Sequence, residues 1–187
     1  MSVTTYTPQE AAALTGMRLQ RIQNAITTRQ LGRSFPLRRD GRRRIDLPAV
    51  LALATADRLR GVKIAPAILY RAFRKSGLPR RPLPVTDAVV LDTKVMLAPI
   101  AHNLWLYQIA RERIVSDPAI LGGLPVVKGT RVPARALHGR LKAGDSIERL
   151  LSEYDYLDRE TIEAAVLFVE ANKPRGRPRR RPAPLRR

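Results

Sequence analysis

The chain has 187 residues and a formal net charge of +19, from 35 basic and 16 acidic side chains, a length that supports one moderate core or two small ones. It has no cysteine and two histidines, His102 and His138, which excludes disulfides and thiolate metal sites and leaves little for a histidine-based metal centre. No apolar run approaches the ~18–20 residues of a membrane span and no secretory signal opens the sequence, so a soluble cytoplasmic protein without a cofactor is expected.

The charge is unevenly spread. Residues 1–111 hold 19 basic and 6 acidic side chains, residues 112–172 hold 8 and 10, and residues 173–187 hold 8 and none. Basic blocks around a near-neutral module imply polyanion contact at the ends and packing or partner contact between them. Four regions follow: 1–80, 81–111, 112–172 and 173–187. The fold class expected is mainly α with small β hairpins.

Thr7-Pro8-Gln9-Glu10 is a helix start, with Thr7 as cap, Pro8 at the first helical position and Glu10 as capping-box partner. The spacing predicts a short helix over Pro8–Leu14, ended by Thr15-Gly16, and a second over about Met17–Thr27. In the second, Leu19, Ile22 and Ile26 form the buried stripe. Arg18, Gln20, Arg21 and Asn24 fall on the opposite side, and these are side-chain types suited to base edges and phosphates in a major groove. Arg33–Arg38 and Arg42–Asp46 read as a hairpin about Arg39-Asp40-Gly41. Arg38, Arg39, Arg42, Arg43 and Arg44 crowd its tip, a repulsive cluster that a polyanion relieves. A third helix starts at Asp46-Leu47-Pro48, with Leu47, Val50, Leu51 and Ala54 as its apolar face. A fourth is expected over about Pro66–Lys75.

Helix, turn, helix, basic wing, helix over about Thr5–Gly77 resembles the winged helix-turn-helix head of MerR-like and excisionase-type proteins. The resemblance implies double-stranded DNA binding. Paired aromatics usual after the recognition helix are replaced here by Arg21-Ile22-Gln23-Asn24, and the long dimerising helix and effector-binding part are absent, so no sensing role carries over.

Arg80-Arg81-Pro82-Leu83-Pro84 reads as a linker. Ala88–Leu91 and Lys94–Leu97 are expected to pair about Asp92-Thr93. Ile100–Ile109, with Trp105 and Tyr107, fits helix or strand, and Trp105 fits a core or dimer contact.

From Arg113 to Pro133, turn formers alternate with β-branched residues. Asp117-Pro118 starts a turn, Gly122-Gly123 permits positive φ, and Val126-Val127 and Arg131-Val132 flank a Lys128-Gly129-Thr130 reversal. Ile114 to Pro133 resembles the hallmark I-x-x-D-P-x-I-x-G-G-x-P-V-x-x-G-T-R-x-P of a small bacterial family of unknown function that looks like VapB-type antitoxins, with the match continuing to about Asn172. That resemblance implies a PIN-like ribonuclease toxin as partner. Three helices follow the hairpin: Ala134–Ala143, a second capped at Asp145-Ser146-Ile147-Glu148, and a third from near Asp158 to Ala171. The exposed face of the third (Arg159, Glu160, Glu163) is mostly acidic and unsuited to DNA, so this module is read as a dimerisation or partner platform. Lys128, Thr130 and Arg131 at the hairpin tip are explained by turn geometry as well as by function. His138 reads as a satisfied helix histidine. No catalytic constellation is present, so an enzyme is not expected.

Residues 173–182 lack apolar side chains and are expected to be disordered when free. Pro174-Arg175-Gly176-Arg177-Pro178 resembles an AT-hook, a motif whose arginines lie along the narrow minor groove of A·T tracts. The antitoxin resemblance gives the tail a second use, with Arg175, Arg177, Arg179 or Arg180 entering the acidic metal pocket of the nuclease. The leading expectation is a homodimeric antitoxin that represses its own promoter and neutralises a PIN-like ribonuclease. The alternative is a stand-alone transcriptional or architectural protein that binds A·T-rich DNA.

Overall fold

The structure is a computed structural model that describes residues 4–32, 37–39 (backbone only), 41–59, 61–62, 64–79 and 81–173. It is mainly helical with small antiparallel hairpins, an α+β fold.

Strand β1 (Thr5–Tyr6) leads into helix α1 (Pro8–Thr15). The expected capping box closes it: Thr7 Oγ1 accepts from the Glu10 amide at 3.1 Å, and Glu10 Oε2 accepts from the Thr7 amide at 2.6 Å. Gly16, at φ 71°, turns the chain out of the helix. Helix α2 (Leu19–Thr27) begins two residues later than the spacing suggests, because Arg18 is extended and takes the N-cap position. Ile22 and Ile26 are buried as expected, joined by Ala25, and Leu19 is half-buried. Strands β2 (Leu37–Arg39) and β3 (Arg42–Asp46) form the basic hairpin. β3 also pairs with β1, Thr5 opposite Asp46 and Tyr6 opposite Ile45, giving a three-stranded sheet.

Asp46 ends the sheet and caps helix α3 (Leu47–Arg58) by accepting from the Ala49 amide at 3.1 Å. The expected one-sided apolar face of α3 proves wider, with every residue from Ala49 to Thr55 buried. Helix α4 (Pro66–Ser76) covers it and a later helix, α5 (Thr93–Arg113), also packs on it, so an Ala-rich helix is enclosed rather than half-exposed.

The segment after α4 departs from expectation. Strand β4 (Leu83–Thr86) pairs with β5 (Val89–Leu91) about Asp87-Ala88, so part of the expected linker is strand. Lys94–Leu97 is no strand. It lies in helix α5 (Thr93–Arg113), because Asp92 accepts from the Lys94 amide at 3.0 Å and so acts as helix cap rather than turn residue. Pro99 sits inside this 21-residue helix.

Strand β6 (Ile114–Val115) follows directly and pairs with β7 (Val126–Val127). Between them, Asp117 accepts from the Ala119 amide through its carboxylate and from the Ile120 amide through its carbonyl, both at 2.9 Å. Gly122 (φ 66°) and Gly123 (φ 84°) then turn the chain in the left-handed region. The reversal at Lys128–Thr130 forms as read, with Val127 N–H donating to the Val132 carbonyl at 2.9 Å and Gly129 at φ 76°. The ladder partner of β7 is β6, while Val126 makes a single bridge to Pro133.

Helices α6 (Ala134–Lys142), α7 (Ile147–Glu153) and α8 (Arg159–Ala171) complete the chain. Helix α8 lies at the centre, packed on α5, α6 and α1. Its buried Ile162, Ala164, Ala165 and Leu167 belong to one apolar cluster that also takes in Leu14, Ile22 and Leu51. The N-terminal helices and the C-terminal bundle therefore share a core.

Candidate nucleic-acid interface

The polar side of α2 follows from its period. With Ile22, Ala25 and Ile26 turned inward, Arg18, Gln20, Arg21 and Asn24 are all exposed. Gln20 Nε2 donates to Asn24 Oδ1 at 2.9 Å, one turn apart, leaving both amides able to present donors and acceptors outward. Arg21 is not a free cation, because its guanidinium is ion-paired with Asp57 of α3. Arg18 forms no ion pair among the described residues.

On the hairpin, backbone register sets Arg38 opposite Arg43 and Arg39 opposite Arg42. The side chains of Arg38 and Arg39 lie outside the described residues. Arg42 and Arg43 are exposed. Arg44 differs from them: half-buried, it lies 3.7 Å from Glu10 Oε2. Glu10 also accepts from the Tyr107 hydroxyl at 2.8 Å, and burial, followed by the Glu10 charge, raises the Tyr107 pKa. Arg44 thus sits beside the carboxylate of the α1 capping box, with its Nε buried and without a hydrogen bond among the described residues. Arg175, Gly176, Arg177, Arg179 and Arg180 lie outside the described residues.

One basic surface escaped the sequence reading. Arg71, Arg74 and Lys75 of α4 are exposed and line a cleft of 660 Å³ with Pro84, Val85 and Thr86 of β4. Their i, i+3, i+4 spacing was the available signal. Arg74 sits 5.9 Å from the Tyr70 ring centroid, and none of the three has an acidic partner among the described residues.

The C-terminal bundle handles its charges differently. Arg140 bonds Asp145 at 2.6 Å and Glu153 at 2.5 Å, and Arg113 holds Asp158 at 2.5 Å. Arg159 holds Glu148 at 2.6 Å. Hydrogen bonds from Arg140 depress the Asp145 and Glu153 carboxyls, and that from Arg159 depresses Glu148. For Asp158 burial acts upward, but hydrogen bonds from Thr161 and Arg113 outweigh it and the pKa falls. On the face of Arg159, Glu160 and Glu163, Arg159 Nη1 lies 3.9 Å from Glu163 Oε1 one turn on, and the half-buried Glu163 lies 3.7 Å from His102 Nε2 of α5.

At the hallmark reversal, Thr130 Oγ1 donates to the Val127 carbonyl (2.9 Å) and accepts from the Val132 amide (3.0 Å), a turn-building role. Lys128 and Arg131 remain exposed. His138 is buried, but its Nε2 has no hydrogen bond and only approaches Glu170 Oε1 at 3.5 Å, so it is not the satisfied histidine expected. Among the described residues no histidine and carboxylate group could hold a metal ion, and no helix is long and apolar enough to cross a membrane.

Residues 114–169 match a family model described as "Protein of unknown function (DUF433)". This is the stretch in which the hallmark was read. The chain is also similar to "Uncharacterized protein y4eO" of Sinorhizobium fredii (strain NBRC 101917 / NGR234), 38% identical over 130 residues that cover 68% of this chain. The aligned part spans 59% of that relative's length. No solved structure matches.

Proposed function

We propose that this chain is a DNA-binding antitoxin of a type II toxin–antitoxin pair, acting as two copies on an operator in its own promoter. Its N-terminal part is the winged helix-turn-helix, with α2 as recognition helix and β2–β3 as wing. The observation that carries the duplex reading is the contrast in charge pairing. Arg113, Arg140, Arg149 and Arg159 around the C-terminal bundle are tied to carboxylates, whereas Arg18, Arg42 and Arg43 are exposed and form no ion pair among the described residues. Uncompensated cations suit phosphates, and the exposed amides of Gln20 and Asn24 suit base edges.

The nuclease partner rests on the antitoxin resemblance of Ile114–Pro133. In this reading the bundle, the tail or both hold a PIN-like ribonuclease inactive, with Arg175, Arg177, Arg179 or Arg180 directed at its carboxylates. The AT-hook-like run Pro174–Pro178 supports a second reading, in which head and tail bind A·T-rich DNA and no toxin is involved. An affinity pull-down of the intact protein from its source cells separates the two. A stoichiometric small nuclease supports the antitoxin, and its absence leaves the architectural reading.

A further inference from the structure

The inner side of α5 rests on α8, α1 and α3. On its outer side, Lys94, Ala98, Ala101, Trp105, Gln108 and Glu112 recur at alternating steps of four and three residues. That is the a/d spacing of a helix–helix seam. Five of the six are exposed and Ala101 is half-buried. Trp105 is 47% exposed, with the His102 ring 5.6 Å from its own. Among the described residues nothing covers the exposed half of this indole.

The seam is complementary to itself when two copies meet antiparallel about a two-fold axis beside Asn103. Trp105 of each copy then faces Ala101 of the other, Ala98 faces Gln108, and Lys94 faces Glu112. The largest side chain meets one of the smallest, and opposite charges meet at both ends. From Lys94 to Glu112 the seam runs ~27 Å.

The end charges carry independent information. Lys94 lies in the first turn of α5 and Glu112 in the last, the reverse of what the helix dipole favours. Neither has an ion partner among the described residues. A cross-copy pair gives both a use that the isolated helix does not.

We propose that a second copy of this chain docks on this face, forming an isologous antiparallel α5 pair with Trp105 at its centre. It gives a surface to the two-copy clause of the proposed function but does not depend on DNA binding.

The test is sedimentation equilibrium of the full chain without nucleic acid, alongside emission from its single tryptophan. A dimer should form with rising concentration, and emission should shift to the blue as it forms. Glu112→Lys turns both end pairs repulsive and should weaken dimerisation about tenfold. Because lysine suits the helix C-terminus, that variant should not lose thermal stability. Lys94→Glu should weaken the dimer similarly, and the double variant Lys94→Glu/Glu112→Lys should restore it. A chain that stays monomeric, a dimer indifferent to both single reversals, or a double variant that fails to recover would each overturn the proposal. A chain that dimerises in this way yet ignores DNA would refute the duplex reading and leave this one standing.

Discussion

Arg42 and Arg44 stand two positions apart on β3, on the same face of the strand, yet their environments assign them different work. Arg42 is exposed at the hairpin end, while Arg44 lies half-buried beside Glu10. Arg42→Ala should weaken binding to every duplex alike and lower the salt slope by about one, as measured by fluorescence anisotropy on specific and random DNA. Asn24→Ala should instead relax base choice, removing about 1–3 kcal/mol of discrimination at one position. Equal losses on both DNAs would remove Asn24 from the reading surface. Tyr70 offers a check independent of DNA. Its hydroxyl donates to Asp46 Oδ2 at 2.9 Å, and burial followed by that bond pushes its pKa up to about 12. The neutral phenol is thus favoured in the folded state. Its stabilisation is complete below the ordinary tyrosine value near 10 and is lost as pH rises from there through about 12. Spectrophotometric titration should show late phenols, Tyr107 among them, of which Tyr70→Phe removes one.

At the scale of elements, the central position of α8 governs stability. Ile162 is fully buried where α8 meets its neighbours, so Ile162→Ala should cost about 2–5 kcal/mol in denaturant unfolding. A loss below about 1 kcal/mol would contradict that placement. The ion pairs around α7 predict behaviour in acid. Asp145, Glu148 and Glu153 have depressed folded pKa values, so the stability they contribute is present above their unfolded values near 4 and lost as pH falls through the folded ones. The melting temperature should decline below about pH 4, and Arg140→Leu should make that decline shallower.

Helices with local signals were legible in the sequence. Thr7, Asp46, Ser146 and Asp158 each hold a helix start through a bond no more than three residues long. Asp92 was not, because an Asp-Thr pair serves equally as turn or cap and only the helix beyond it decides. The pairing of β6 with β7 was also out of reach, since two-residue strands have no periodicity and their partner is set by the turn between them. Similarly, Arg21 met Asp57 and Arg44 met Glu10 across the fold, at separations where spacing says nothing. The basic face of α4 was visible in its spacing and overlooked.

Across the whole molecule, charge and packing are divided differently. The apolar cluster runs through both halves of the chain, with α1 and α5 lying on α8. The excess of positive charge does not: it lies in residues 1–111 and 173–187, while residues 112–172 are close to neutral, with Arg113, Arg140 and Arg159 paired to carboxylates within that stretch. A head that shares its core with the bundle should unfold with it, so calorimetry should show one transition rather than two. The α5 seam would then set two such heads in fixed relation for a symmetric operator. The most direct test of duplex binding is the affinity of the purified full-length protein for its own promoter DNA as a function of salt. With about six basic side chains on phosphates, tight binding at 50 mM should weaken ~10³-fold by 200 mM. Failure to bind the duplex at low ionic strength, or an affinity indifferent to salt, would contradict the account.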